Sequence, residues 1–282
     1  MKIAAVQMVT SCSVQGNLER AESLIAEAAA AGARLVALPE NFAFMGRADH
    51  DKLALAEPLD QGPIQGMLSG AARRHRIWLI GGSIPLATDD PQRVGNTTLV
   101  YGPRGERIAR YDKIHLFRYD EALPDGTSRS YDEGVVLCAG AQPAAFHVRD
   151  EDTPPETPGW RVGLSICYDL RFPELYRALM QPPCDLIAVP SAFTYTTGRA
   201  HWELLLRARA VENQCYVMAP AQGGVHENGR RTWGHTMIVD PWGEVLQVLP
   251  EGEGVVCAEL DAQRLATVRR TLPALAHRRL GA

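Results

Sequence analysis

Two stretches of the 282-residue chain carry the same order of elements, and a duplicated order leaves few architectures open. In the first, hydrophobic period and turn residues predict a strand over Lys2–Met8, a helix capped by Asn17 and ended at Gly32, and a buried strand over Arg34–Leu38. A helix over Pro63–His75, a strand over Ile77–Gly82 and a hairpin follow, with strands Asn96–Tyr101 and Glu106–Tyr111 joined at Gly102–Gly105. The second stretch predicts strands over Arg161–Ile166, Asp185–Val189 and Cys215–Ala219, helices over Pro173–Met180 and Ala200–Asn213, and a hairpin of Thr236–Asp240 with Glu244–Leu249. Local text agrees: Leu35-Val-Ala-Leu-Pro39-Glu40-Asn-Phe42 parallels Ile187-Ala-Val-Pro190-Ser191-Ala-Phe193.

Helices that alternate with short buried strands must cover a mostly parallel sheet, so each stretch is an α/β unit. Two such sheets packed face to face, helices outside, make a four-layer α-β-β-α sandwich. No linker separates the halves, which predicts one domain over residues 1–282. Glu121–Ser130 and Asp150–Pro158 read as surface loops.

With 46% hydrophobic residues the chain can fill such a core, and its 29 Lys+Arg against 33 Asp+Glu include no basic block, which argues against a nucleic-acid partner. The opening apolar run ends at Gln7, too short for a signal peptide. Glu27, Arg34 and Glu40 interrupt the next one, so no membrane span is expected. Cys12, Cys138, Cys167, Cys184, Cys215 and Cys257 show no C-x-x-C and no zinc spacing, which points to free thiols in a cytoplasmic protein without a metal.

In open α/β sheets ligands sit beyond the carboxyl ends of the strands, and three such positions carry reactive side chains. Cys167 follows the apolar run Val162–Ile166, where a helix start near Pro173 would favour its thiolate; the alternative is a small buried hydrophobe. Glu40 ends an otherwise apolar strand. It could be a cap, but the matching residue in the repeat is Ser191, so the strand end requires no acid, and burial there would raise its pKa toward the range of a general base. Lys113, just past the first hairpin, reads by itself as a surface charge. Glu133 is a loop acid, and Arg171 could pair either a substrate carboxylate or Asp169. His201 and His235 read as hydrogen-bonded interior residues. Gly-rich phosphate loops are absent, so no nucleotide cofactor is expected.

Leu38-Pro-Glu40, Asp112-Lys113-Ile-His-Leu116 and Ser165-Ile-Cys167-Tyr-Asp-Leu-Arg-Phe-Pro-Glu174, in that order, resemble the nitrilase (carbon–nitrogen hydrolase) superfamily. Pro190–Phe193, Gly198–Arg209, Gly234–Gly243 and Arg269–Pro273 with His277-Arg-Arg279 extend the resemblance over nearly the whole chain and look like its Nit branch, whose members are amidases. The resemblance implies the α-β-β-α fold and a Glu–Lys–Cys triad at Glu40, Lys113 and Cys167. Glu133 becomes the second glutamate, its spacing to Gly140 agreeing with the family pattern, and the Tyr168 backbone N–H becomes an oxyanion donor beside Lys113. Amide hydrolysis through a thioester, no cofactor, and a homodimer or larger homo-oligomer are implied with them.

The text Gln214–Gly224 resembles the Nit subgroup that hydrolyses deaminated glutathione to 2-oxoglutarate and Cys-Gly more closely than the ω-amidases acting on 2-oxoglutaramate. That implies an anionic amide substrate, with Arg171 as its carboxylate partner and Phe193 and Thr197 lining the pocket. The loop Tyr119–Arg129 departs from both subgroups and is expected at the entrance. The rivals are an ω-amidase, a carbamoyl-amine hydrolase, and a catalytically idle binding protein on the same fold; the intact triad speaks against the last.

Overall fold

The computed structural model describes residues 1–122, 128–149 and 159–280. The first stretch runs β1 (Lys2–Gln7), α1 (Val14–Ala30), β2 (Leu35–Ala37), α2 (Pro63–His75), β3 (Trp78–Ile80), β4 (Ile84–Ala87), β5 (Val94–Tyr101) and β6 (Arg107–Asp112). The hairpin β7 (Arg118–Ala122) and β8 (Ser128–Asp132) follows, then β9 (Leu137–Cys138) and β10 (Ala144–Val148). The second stretch runs β11 (Trp160–Leu164), α3 (Pro173–Ala178), β12 (Leu186–Ala188), α4 (Tyr195–Asn213), β13 (Tyr216–Ala219), β14 (Thr236–Val239) and β15 (Val245–Leu249), and the chain closes on β16 (Gly254–Glu259) and α5 (Ala262–Thr271).

The duplication is structural. β1, β2 and β3 are parallel neighbours in one sheet, β11, β12 and β13 in the other, so Leu35–Ala37 and Leu186–Ala188 hold matching central places. Each sheet continues into an antiparallel hairpin, β5 with β6 and β14 with β15. The strand that follows each half crosses to the other sheet: β10 flanks β11 in the second, and β16 flanks β1 in the first, with Lys2 opposite Glu259 and Gln7 opposite Gly254. The sheets differ by β4 and β9, which extend the first beside β5.

Strand alternation explains the layers. Ile3, Ala5, Leu35, Ala37 and Ile80 join Val162 and Leu164 in the core between the sheets, while Ala4, Val6, Val36 and Leu79 turn to Leu24 and Ala28 of α1 and Leu68 and Ala72 of α2. On the second sheet α4 contributes Trp202 and Leu206. Because β1 is buried on both faces, a one-residue slip would exchange Ile3 and Ala5 with Ala4 and Val6 between two packed layers, so the cost would be misfit in both cores.

Three expectations are corrected. Asn17 does not cap α1: the Ser13 hydroxyl accepts the Gly16 N–H at 3.2 Å, and the Asn17 amide reaches the Ser11 and Ala43 carbonyls at 2.9 Å each. The helix expected from Ala200 starts at Tyr195, where Gly198 fits against Trp233 so closely that a Cβ would lie 2.2 Å from it. The ends of Glu121–Ser130 are paired strand, Tyr119 opposite Tyr131; their mixed polar sequence carries no apolar alternation to reveal it. Residues 123–127 and the Asp150–Pro158 stretch lie outside the described residues. Among the described residues no helix is long and apolar enough to cross a membrane, and all six cysteines are unpaired.

Candidate active site

β11 delivers Cys167 to the rim of the second sheet, where it opens a 3-10 turn over Cys167–Arg171 at φ +48°, a left-handed conformation that costs a residue with a Cβ. The surroundings impose it. The Cys167 N–H donates to the Pro190 carbonyl at 2.9 Å, and the fully buried Asp169 carboxylate accepts the Ile166 N–H at 2.8 Å. Asp169 also accepts from the Tyr111 hydroxyl at 2.6 Å and the His115 N–H at 3.0 Å, with His115 Nδ1 at 2.7 Å. Tyr111 and His115 flank Lys113 by two residues on either side, so one carboxylate ties the lysine's segment to the cysteine's turn.

Glu40 arrives from the opposite sheet, just beyond β2. Its Oε1 accepts from Lys113 Nζ and Asn96 Nδ2, both at 3.0 Å, and its main-chain oxygen accepts from Gln222 Nε2 at 3.0 Å. Lys113 is not the surface charge its sequence neighbours suggest. It is fully buried and also donates to Glu133 Oε2 at 2.9 Å, which in turn accepts the Phe117 N–H at 2.7 Å. Gly140 presses on the same segment, its N–H donating to the Lys113 carbonyl at 2.8 Å while a Cβ would meet the Asp112 oxygen at 2.2 Å.

The charge states depart from expectation on two counts. Burial and the neighbouring Glu40 carboxylate push the Cys167 thiol well above its ordinary value, outweighing Lys113 and the Ala192 N–H. The helix expected beside it, α3, begins at Pro173, six residues further on. Burial pushes the Glu40 carboxyl up, yet the Lys113 ammonium and hydrogen bonds from the Cys167 thiol and Lys113 bring it below its ordinary value instead of above. Burial pulls Lys113 down, but Glu133 and Glu40 carry it well above the usual lysine range. At neutral pH the three are a thiol, a carboxylate and an ammonium.

Glu40, Glu133, Cys167, Tyr168, Arg171, Phe193 and Thr197 all line one cavity, and Lys113 lies behind its two carboxylates. Asp169 is taken by Tyr111 and His115, which leaves Arg171 facing the cavity, its guanidinium 5.3 Å from the Phe193 ring and its Nη1 3.2 Å from His201 Nδ1. His201 is exposed, not interior, because it sits on the outer turn of α4. Phe117, Tyr119 and Tyr131 border the outer side of this cavity; of the loop Tyr119–Arg129 expected at the entrance, Tyr119 lies there and residues 123–127 are outside the described residues.

The sequence reading missed two cations of this cavity. Lys52, in a 3-10 turn over Asp49–Leu55, is drawn below the usual lysine range by burial, against the pull of Glu133, Asp49 and Glu40. Arg230 comes from the loop before β14. Among the described residues neither of them, nor Arg171, is ion-paired to a carboxylate. Both missed residues come from irregular segments where no periodicity marks them. Conversely Gln222, within the Gln214–Gly224 stretch, holds Glu40 and Thr10 in place and does not line the cavity. No group of three or more His, Cys, Asp or Glu suited to a metal occurs among the described residues.

The sequence profile of the carbon–nitrogen hydrolase family matches residues 2–270. The chain belongs to that family. One member of it, the deaminated glutathione amidase of Synechocystis sp. (strain PCC 6803 / GT-S), is 42% identical over 277 residues, covering 98% of this chain and 97% of that protein. The human Omega-amidase NIT2 is 39% identical over 280 residues, covering 99% and 95%. The crystal structure of the C. elegans NitFhit protein superposes with a TM-score of 0.85 at 38% identity, covering 99% of this chain and 65% of that longer one.

Proposed function

We propose that Cys167 is the nucleophile, Glu40 the general base and Lys113 the oxyanion partner of an amidase whose substrate is a small anionic amide, foremost deaminated glutathione. The observation that carries the reading is the Cys167 thiol held against an ionised Glu40 in a cavity where, among the described residues, Lys52 and Arg171 are ion-paired to no carboxylate. As Cys167 Sγ attacks the amide carbon, Glu40 takes the thiol proton. The oxyanion is met by Lys113 Nζ and the Tyr168 N–H, an amide at the start of a helical turn and so without an intrahelical acceptor. Glu40 then returns the proton to the nitrogen as the C–N bond breaks, leaving a thioester. A water, deprotonated by Glu40, attacks the thioester; the C–S bond breaks and the proton returns to sulfur. Glu133 fixes Lys113 through the two bonds at 2.9 and 3.1 Å.

Arg171 and Lys52 suit the oxo-acid carboxylate of the acyl group, with Phe193 and Thr197 beside it. We place the protein, as one 1–282 domain, in a reducing cytoplasm, which six unpaired thiols support. A homodimer or larger assembly is supported by Leu204 and Val211 on α4, with Trp242, each exposed by about half or more.

The test is kcat/KM for deaminated glutathione and 2-oxoglutaramate side by side, with Cys167→Ala as blank. A preference of ~100-fold for the former, about 2.7 kcal/mol, is the expected result. The reverse preference would make the chain an ω-amidase, and turnover by the blank would remove Cys167 from the mechanism.

A further inference from the structure

The catalytic cavity does not end at its mouth. Phe117, Thr194, Thr197 and Arg230 also line a second, wider cavity that continues outward from it, walled by Tyr119, Tyr131 and the 46–49 segment. Two arginines face this outer cavity. Arg47 is already occupied by Glu227, Nη2 to Oε1 at 2.8 Å. Arg230 stands over the Tyr131 ring at 6.0 Å and is ion-paired to no carboxylate among the described residues, so its guanidinium is the cation shared by both cavities and open to a ligand.

From this arrangement we infer that Arg230 and the outer cavity form a subsite for the departing amine, built for one that carries a free carboxylate, such as the C-terminus of a short peptide. The inference rests on the amidase reading and specifies the half of the substrate that reading leaves open. After acyl transfer the acyl group stays on Cys167 in the inner cavity, whereas the amine must leave before water enters. The outer cavity, which shares Phe117, Thr194, Thr197 and Arg230 with the inner one, is the adjoining space that can hold its far end. A guanidinium there pairs a planar carboxylate bidentately while the aromatic wall of Tyr119 and Tyr131 covers the peptide. An amine leaving group with no carboxylate, ammonia above all, gains nothing from Arg230.

Two measurements test it. Deaminated glutathione and 2-oxoglutaramate share their acyl group and differ only in the amine, so the ratio of their kcat/KM values isolates the leaving-group side. Arg230→Gln is expected to lower that ratio by about 10- to 100-fold, the loss of one charge-assisted bidentate contact. An equal loss on both substrates, or none on either, overturns the subsite. The second measurement needs no turnover: calorimetric titration of S-methylcysteinylglycine and its C-terminal amide into Cys167→Ala protein. Tighter binding of the acid, abolished by Arg230→Gln, supports the subsite even if neither amide is hydrolysed and the amidase reading falls. Equal binding of acid and amide to the arginine-bearing protein overturns the subsite while leaving the amidase reading intact.

Discussion

The Asp169 carboxylate accepts the Tyr111 hydroxyl at 2.6 Å, joining the end of β6 in one sheet to the cysteine turn of the other. Both groups are buried, and Asp169 serves the Ile166 and His115 N–H groups as well. Asp169→Asn turns an amide NH2 toward groups that are themselves donors. The expected cost is about 2–3 kcal/mol of stability, read as a lower urea midpoint with an unchanged slope.

Gly82 performs a similar task for the base. At φ +53° a Cβ there would lie 2.1 Å from the Pro39 carbonyl oxygen, next to Glu40. Gly82→Ala therefore displaces Pro39–Glu40, and kcat should fall at least about tenfold with a smaller change in KM, as expected when a reacting group leaves its near-attack position.

The acid limb of kcat/KM reports Glu40. Because its pKa is lowered, Glu40 remains a carboxylate as pH falls past 4.5, the ordinary glutamate value, and activity declines only below it. Asn96→Ala removes a 3.0 Å hydrogen bond to the ionised form, so the limb should move upward. An unmoved limb would mean that another group sets it.

Lys52 gives a second pH signature. Its amine titrates below 10.5, so rising pH strips the cavity of a positive charge before ordinary lysines respond. KM for an anionic amide should rise through that range, while KM for a neutral amide should not. Lys52→Met should raise KM for the anionic amide about tenfold at neutral pH and flatten its pH dependence.

What could be read from the sequence follows from how each residue is positioned. The central strands were legible because Leu35–Ala37 and Leu186–Ala188 are buried on both faces and end in Pro-acid or Pro-Ser steps that invite comparison. Glu40, Lys113 and Cys167 stand at the ends of regular elements, where a motif keeps a fixed offset from a strand. Lys52 and Arg230 do not: each reaches the cavity from a loop whose path depends on distant contacts, such as Asn228 Nδ2 to the Gly46 carbonyl at 2.6 Å. The signs of the Glu40 and Cys167 shifts were illegible for a related reason. Burial could be inferred from apolar neighbours, but the 3.0 Å approach of Lys113 to Glu40 depends on two sheets meeting.

The pairing of β1 with β16 makes the first strand of the chain wait for nearly the last. During synthesis the hydrogen-bonding edge of Lys2–Gln7 stays open until about 250 further residues have left the ribosome, roughly 12 to 50 s at ordinary elongation rates. The N-terminal half is thus a nascent chain with a sticky rim, and the strand that protects it lies about 250 residues further along. Truncation before Gly254 would expose that rim permanently and turn a late folding step into an aggregation risk.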